Sequence, residues 1–338
     1  MSFKRFEADD LVVSAEPVSA PVWSTGTPVL TSFYTSSTQP SSTSGQYYLD
    51  VYQTGSEVNG AGVQFAIAYA DASGYGSLDY NSGVSGKSPS STIYGQFRTL
   101  VLGDEEDSFN FGGVTSDYFY VVSIDRDRFK ESLLPGTLNL TLTKGSATIH
   151  LTDNSVATST ISFNDAGRVF QLVSGSNGSP YTGVNANGYS AGSGSYGFFL
   201  PDIGVMLLNG EALDESYTNG GIALGTGRSA NTANNNSRKL YDAIVDGSAF
   251  QLNYKETISS RFVFTRVRNS EFNYSTNPSY ITGSGDLKIS EMVNAPQTYI
   301  TTVGMYNDNN ELLAVAKLSR PLLKDFTKEA LIRIKLDF

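Results

Sequence analysis

Residues 137–151, TLNLTLTKGSATIHL, decide the fold class. Leu138, Leu140 and Leu142 recur at every second position, and Ile149 and Leu151 do the same after Lys144-Gly145-Ser146. A period of two, broken by a glycine-bearing turn, predicts an antiparallel hairpin with one apolar face. Slipping the pairing by one residue would expose the whole leucine row, so the register is well specified. Upstream, Val63, Phe65, Ile67 and Tyr69 alternate with Gln64, Ala66, Ala68 and Ala70. Residues 117–125, DYFYVVSID, are instead continuously apolar, as in a strand buried on both faces. Downstream, residues 298–306 and 312–318 flank Asn307-Asp308-Asn309-Asn310, which reads as a hairpin loop. The last stretch, LIRIKLDF, alternates Ile332, Ile334, Leu336 and Phe338 with Arg333, Lys335 and Asp337, a half-buried strand.

These patterns predict a mostly β chain of antiparallel, sandwich-like packing with long Gly/Ser/Asn-rich loops and one or two short helices. One helix is expected after Ser237 as N-cap, with Leu240, Tyr241, Ile244 and Val245 on one face and Gly247 at its exit. A shorter helical turn is expected over 126–133, capped by Asp125. Residues 174–197 and 217–237 show no period and read as loops that bury little. The organisation expected is an extended, proline-punctuated arm over 1–45, a β domain over 46–236, and a helix with C-terminal strands over 237–338. The break between the last two falls in the Asn-rich stretch 231–237.

Only 17% of the 338 residues are charged, and 33 glycines, 20 tyrosines and 19 phenylalanines take up the difference. Such a surface suits coverage by other proteins. A net charge of −10 opposes phosphate-backbone binding, so nucleic acid is not an expected partner. No apolar run reaches the ~20 residues that span a bilayer, so no membrane is expected either. The opening MSFKRFE lacks the apolar stretch of a secretory signal, which points to synthesis in a cytoplasm. The sequons at Asn139, Asn177, Asn235 and Asn273 then have no secretory context. With no cysteine, thiolate metal sites and disulfides are excluded.

The motifs that could carry chemistry read better as structure. His150, the one histidine, falls on the strand face opposite Ile149 and Leu151 and reads as solvent-facing. Gly188-Tyr189-Ser190-Ala191-Gly192 fits G-x-S-x-G but sits in a Gly/Ser tract with no histidine after it. Gly225-Thr226-Gly227-Arg228-Ser229-Ala230 fits G-x-G-x-x-A, yet a polar tract follows where a dinucleotide site needs a helix. Asp104-Glu105-Glu106-Asp107 and 307–311 lack the glycine and terminal Glu of a twelve-residue calcium loop and read as solvated turns. Residues 261–268, RFVFTRVR, read as a strand with a charged edge. No catalytic residue, cofactor or metal is expected.

Four long stretches are STIYGQFRTLVLGDEE (91–106), DYFYVVSIDRDRFKESLLPGTLNLTL (117–142), AGSGSYGFFLPDIGVMLLN (191–209) and VGMYNDNNELLAVAKLSRPLLKDFTKEALIRIKLDF (303–338). They resemble the virion structural proteins of contractile-tailed phages that infect marine cyanobacteria. Residues 6–23 and 33–38 also resemble that family. The resemblance implies a non-enzymatic subunit of the tail or baseplate, located in the virion, with other virion proteins and copies of itself as partners. The expected assembly contacts are Phe3, Phe6 and Trp23, with Arg261, Arg266 and Arg268 facing an acidic neighbour. Two other readings compete. Tyr-rich loops could bind receptor or glycan on a tail fibre. A sugar hydrolase would need paired carboxylates, and no such pair stands out.

Overall fold

The computed structural model describes residues 3–35, 48–55, 58–81, 83–181 and 195–337. The G-x-S-x-G match, most of the Ser/Thr/Gln run after Thr35, and Phe338 lie outside the described residues. By packing, the chain divides into two units: Val18–Glu256, and Met1–Pro17 with Thr257–Phe338.

In the larger unit the expected hairpin forms between Asn139–Lys144 and Ala147–Asp153, with Leu140 opposite Leu151 and Leu142 opposite Ile149. Gly145, at φ +60°, supplies the left-handed residue of its turn. This hairpin is part of one large antiparallel sheet. From edge to edge the sheet runs Val29–Leu30, Phe250–Gln251, Asn139–Lys144, Ala147–Asp153, Gly167–Ser176 and Gly197–Leu200. It continues through Val205–Asn209, Tyr118–Ile124, Val63–Asp71, Tyr48–Tyr52 and Tyr34–Thr35. The sheet curls until strands near its two ends share a core. Phe65 and Phe250 lie 5.3 Å apart, and Trp23 packs on both at 6.1 and 4.8 Å.

The strand Tyr118–Ile124 has both faces buried, as its sequence predicts. Tyr118, Tyr120, Val122 and Ile124 face an inner core that also takes Leu240, Tyr241, Ala243 and Ile244 of the helix Asn236–Gly247. Phe119 and Val121 face an outer core closed by the helix Pro89–Leu102 and the small hairpin Phe109–Phe111 with Val114–Ser116. The helix Asn236–Gly247 starts two residues earlier than its sequence suggests, with Asn235 at φ +51° in the cap position in place of Ser237. Arg126–Arg128 forms a single 3-10 turn whose cap is Asp125, accepting from the Asp127 N–H at 2.9 Å.

Pro89–Leu102 is a helix that the alternation left unseen. Intrinsic propensity does not drive it: Thr92, Ile93, Thr99 and Val101 are β-branched and Gly95 is interior. Its ends specify it instead. Ser88 and Ser91 form a capping box, Pro89 takes the first turn, and Gly103 at φ +69° closes it. Ile93, Phe97 and Val101, four residues apart, then make the buried stripe.

The proline-rich segment expected as an arm is divided between the units. Val22, Trp23, Leu30 and Phe33 are core residues of the larger unit, with Trp23 only 2% exposed. Trp23 is therefore no surface anchor: burying an indole within the chain outweighs leaving it free for a neighbour. The boundary expected at 236/237 lies inside the larger unit, because Leu240 and Ile244 seal its inner core.

In the smaller unit the strand Asn253–Val267 pairs with Ala330–Asp337, Val263 opposite Ile334 and Thr265 opposite Ile332. Leu11–Pro21 lies along its other side. The arginine-rich stretch expected to form a charged edge is thus the middle strand, because its main chain pairs on both sides. The expected hairpin of Thr298–Tyr306 and Leu312–Lys324 forms, and its Ile300, Val303, Met305, Ala314 and Ala316 pack on Val263, Ile332 and Ile334. Lys324 is wholly buried, and its ammonium donates to Asn269 O, Asn273 Oδ1 and Asp325 O at 3.0, 2.6 and 2.9 Å.

Two outcomes follow for stability. Trp23→Ala should cost about 3–5 kcal/mol in urea unfolding, as for a large aromatic removed from a core. Trp23→Phe should cost far less, because the indole Nε1 is buried without a partner. Second, Asp202 accepts from Arg168 N and Nε at 2.8 and 3.0 Å. Burial works against its charge, but the Arg168 contacts outweigh it and hold the carboxyl below the usual range. A folded pKa below the unfolded one stabilises at neutral pH, and that share is lost as pH falls through the folded value. Asp202→Asn should therefore flatten the acid limb of a stability-versus-pH curve and lower stability at pH 7.

Candidate functional site

A set of charged and tyrosyl groups meets at one end of the central strands. Asp71 ends the strand Val63–Asp71 and sits opposite Tyr118, while Tyr69 sits opposite Tyr120. The Asp71 carboxylate is fully buried. Its Oδ1 accepts from the N–H groups of Ser73 and Tyr75 at 2.9 and 3.2 Å. Its Oδ2 accepts from the Tyr69 hydroxyl and Arg228 Nε at 3.2 and 2.7 Å. Four donors saturate a carboxylate, which is the condition for burying one. The Arg228 guanidinium lies 4.5 Å from the centre of the Tyr118 ring and 3.6 Å from Asp117.

A second carboxylate holds the other side. Asp214 accepts from the Tyr118 hydroxyl at 2.9 Å and from Thr226 N and Oγ1 at 2.9 and 3.0 Å. The Tyr120 hydroxyl lies 2.6 Å from Thr226 Oγ1. Burial pushes the phenols of Tyr69, Tyr118 and Tyr120 above the ordinary tyrosine range, so they remain protonated donors. Burial and the nearby Asp117 likewise raise Glu211.

What this network grips is the Gly-rich loop that carries the G-x-G-x-x-A match. Arg228 and Thr226 are loop residues, so both carboxylates reach it. Lys144 Nζ donates to Ala223 O and Leu224 O, each at 2.7 Å, and Lys239 Nζ to Gly225 O at 2.8 Å. The Asn236 amide takes both polar groups of Gly227, at 3.0 and 2.9 Å. A Cβ at Gly227 would stand 2.5 Å from the Asn234 side chain, which fixes glycine there. The loop thus lacks regular structure, as its composition predicts, but it buries Ile222 and Leu224 in the inner core instead of burying little. Its Gly227 N–H is spent on Asn236 and its Thr226 N–H on Asp214, and no helix opens at residue 230 to orient a pyrophosphate.

The other motifs are simpler. His150 is exposed and its Nδ1 lies 3.1 Å from Thr141 Oγ1 across the hairpin. Asp104 accepts from the N–H groups of Glu106 and Asp107, and those bonds hold its carboxyl below the usual range. Asn307 closes its own turn, accepting from Asn309 N and Glu311 N at 3.0 and 2.8 Å. Among the described residues no group of three His, Cys, Asp or Glu is placed to hold a metal ion. One acidic pairing escaped the sequence reading: burial, and then Asp125, raise the carboxyl of Asp50 in a shallow cleft shared with Arg126 and Phe129. The two residues are far apart in sequence, and only the pairing of neighbouring strands brings them together.

Of the expected contact residues, Phe3, Phe6, Arg261, Arg266 and Arg268 belong to the smaller unit and Trp23 to the larger. Phe3 is 60% exposed and meets the Tyr306 ring edge-on at 5.6 Å; Phe6 is 48% exposed. Arg261, Arg266 and Arg268 are all exposed. Arg266 reaches Glu329 at 3.2 Å, and its carbonyl accepts from Lys4. The Arg268 N–H donates to Glu271 at 2.8 Å. No family model matches this chain, and no curated protein or solved structure matches it.

Breaking the grip on the loop should be costly. Arg228→Ala leaves Asp71 buried and unpaired, an expected loss of about 3 kcal/mol in urea unfolding. Adding Asp71→Ala to that variant should cost clearly less than Asp71→Ala alone; additive losses would show that the two side chains do not act together.

Proposed function

We propose that this chain is a non-enzymatic structural subunit of a phage virion, in the tail or baseplate, and that its smaller unit makes the assembly contacts. One observation carries the reading. The smaller unit holds under a third of the chain, yet sixteen of the twenty-nine large apolar side chains exposed among the described residues belong to it. Among the described residues its own buried apolar core is Val263, Val267, Met305, Ala330, Ile332 and Ile334. A unit with so much apolar surface outside and so little inside is suited to burial against other chains.

The larger unit supports the same reading from the other side. Its curled sheet closes on itself across Phe65 and Phe250, which supports the sandwich-like packing inferred for it. Its most polar cluster is saturated by internal hydrogen bonds, which suits a rigid body better than a reaction centre. The resemblance to cyanophage virion proteins adds the particle as the setting, with other virion proteins and copies of itself as partners.

A second reading has one specific observation behind it. Asn139, Thr141, His150, Asn177, Tyr181 and Gln251 line a shallow polar depression, and Tyr181 is exposed beside it. Polar groups with an aromatic platform suit a sugar. Antibodies raised to the chain should label purified particles at the tail, and mass spectrometry should find it there at stoichiometric level. Its absence from particles, together with glycan-array binding lost in Tyr181→Ala, would replace the structural reading with the glycan one.

A further inference from the structure

We infer that the smaller unit pairs head to tail with a second copy of this chain, the Leu11–Pro21 edge of one copy adding to the Ala330–Asp337 edge of the next. This rests on the assembly reading above and names the partner for it. The strand order is Leu11–Pro21, Asn253–Val267, Ala330–Asp337, so over the smaller unit's residues of these strands the first and last are sheet edges, among the described residues.

Both edges carry exposed apolar side chains. Leu11, Val12 and Val13 are 46%, 47% and 63% exposed, and Leu331 on the other edge is 66% exposed. Edge strands are usually blunted by prolines or charges, because their open main-chain groups invite another strand. Pro17 and Pro21 blunt only the later half of Leu11–Pro21. Its first residues are free of proline and apolar, which suits strand addition.

Charge decides what adds. From residue 6 to residue 21 every charged side chain is acidic: Glu7, Asp9, Asp10 and Glu16. The other edge carries Arg333 and Lys335, and its one acid, Asp337, is already bound by Ser260 Oγ at 2.6 Å and Lys335 at 3.2 Å. A two-fold pairing of the acidic edge with itself, centred on Val13, sets Glu16 against the 3-10 turn Ala8–Asp10 of the other copy, which carries Asp9 and Asp10. The basic edge paired with itself about Ile334 sets Arg333 opposite Lys335. Like charges directly opposite destabilise a strand pair, so both symmetric pairings are disfavoured. Acidic edge against basic edge satisfies both, through an attraction that one copy already uses between Glu16 and Lys335 at 3.8 Å. A contact between two different edges does not stop at two copies; it propagates into a ring or a filament.

Sedimentation velocity on the full chain tests this. The wild type should form species larger than a dimer as concentration rises, and ~0.5 M salt should weaken them, since the attraction is screened. Asp10→Lys/Glu16→Lys in one chain, and Arg333→Glu/Lys335→Glu in another, should each be monomeric with unchanged far-ultraviolet circular dichroism. Mixing the two should restore assembly, although neither chain regains its internal Glu16–Lys335 pair. A single chain bearing both swaps should assemble as well, which guards against misfolding as the cause of the losses. A wild type that stays monomeric, swapped chains that still assemble alone, or a mixture that stays monomeric would each overturn head-to-tail pairing. Detection of the chain in particles is a separate measurement, so a failure of head-to-tail pairing is told apart from a failure of the virion reading.

Discussion

The larger unit depends on one constraint: the strand Tyr118–Ile124 is apolar on both faces and must be covered on both. A strand that is half polar can leave one face in water, but this one cannot. Phe119 and Val121 need an outer layer, and the helix Pro89–Leu102 with the Phe109–Phe111 hairpin provides it. Tyr118, Tyr120, Val122 and Ile124 need an inner layer, and the curl of the sheet with the helix Asn236–Gly247 provides that. The curl is then no accident of twist. It brings Phe250 and Phe65, from strands near opposite ends of the sheet, onto Trp23, so the inner core closes without a second sheet.

The same strand carries the polar network at its end. Tyr118 and Tyr120 contribute ring surface to the inner core while their hydroxyls reach Asp214 and Thr226. An aromatic body with a polar tip is what a strand needs where a dry core gives way to a loop. Because both carboxylates meet loop residues, the irregular segment is fixed by hydrogen bonds where neither helix nor strand fixes it. This explains how a chain with few charges tolerates long Gly- and Asn-rich loops: the charges it has are placed where main-chain groups would otherwise be left unpaired.

Much of the fold was legible in the sequence where a period was present. The 137–151 hairpin, the Thr298–Tyr306 hairpin and the C-terminal strand follow from alternation, and Leu140 opposite Leu151 is the register the leucine row demands. Three features were not legible, each for a physical reason. Pro89–Leu102 is declared by its caps, while its β-branched interior argues against a helix. The burial of Ile222 and Leu224 depends on Asp71 and Lys144, far away in sequence, gripping the loop between them. Trp23 looked like an anchor for a neighbour because a lone tryptophan among prolines shows no period, and its partners Phe65 and Phe250 are distant. Of the expected contact residues, those of the smaller unit are surface groups, whereas Trp23 is buried.

The smaller unit shows why alternation alone leaves function open. Ile332 and Ile334 in LIRIKLDF are buried by the chain's own hairpin, whereas Leu11, Val12 and Val13 are not, although both stretches form strands. Periodicity states that a strand has an apolar side; it does not state whose side chains cover it. Residues 298–324 cover the Asn253–Val267 and Ala330–Asp337 strands and leave Leu11–Pro21 bare on both faces over its first residues. Extending the hairpin over that strand would have enlarged the core with the residue types already present. The unit instead keeps apolar strand surface open beside a row of acids. That combination discourages indiscriminate aggregation through charge while leaving the edge able to accept a strand of the opposite sign.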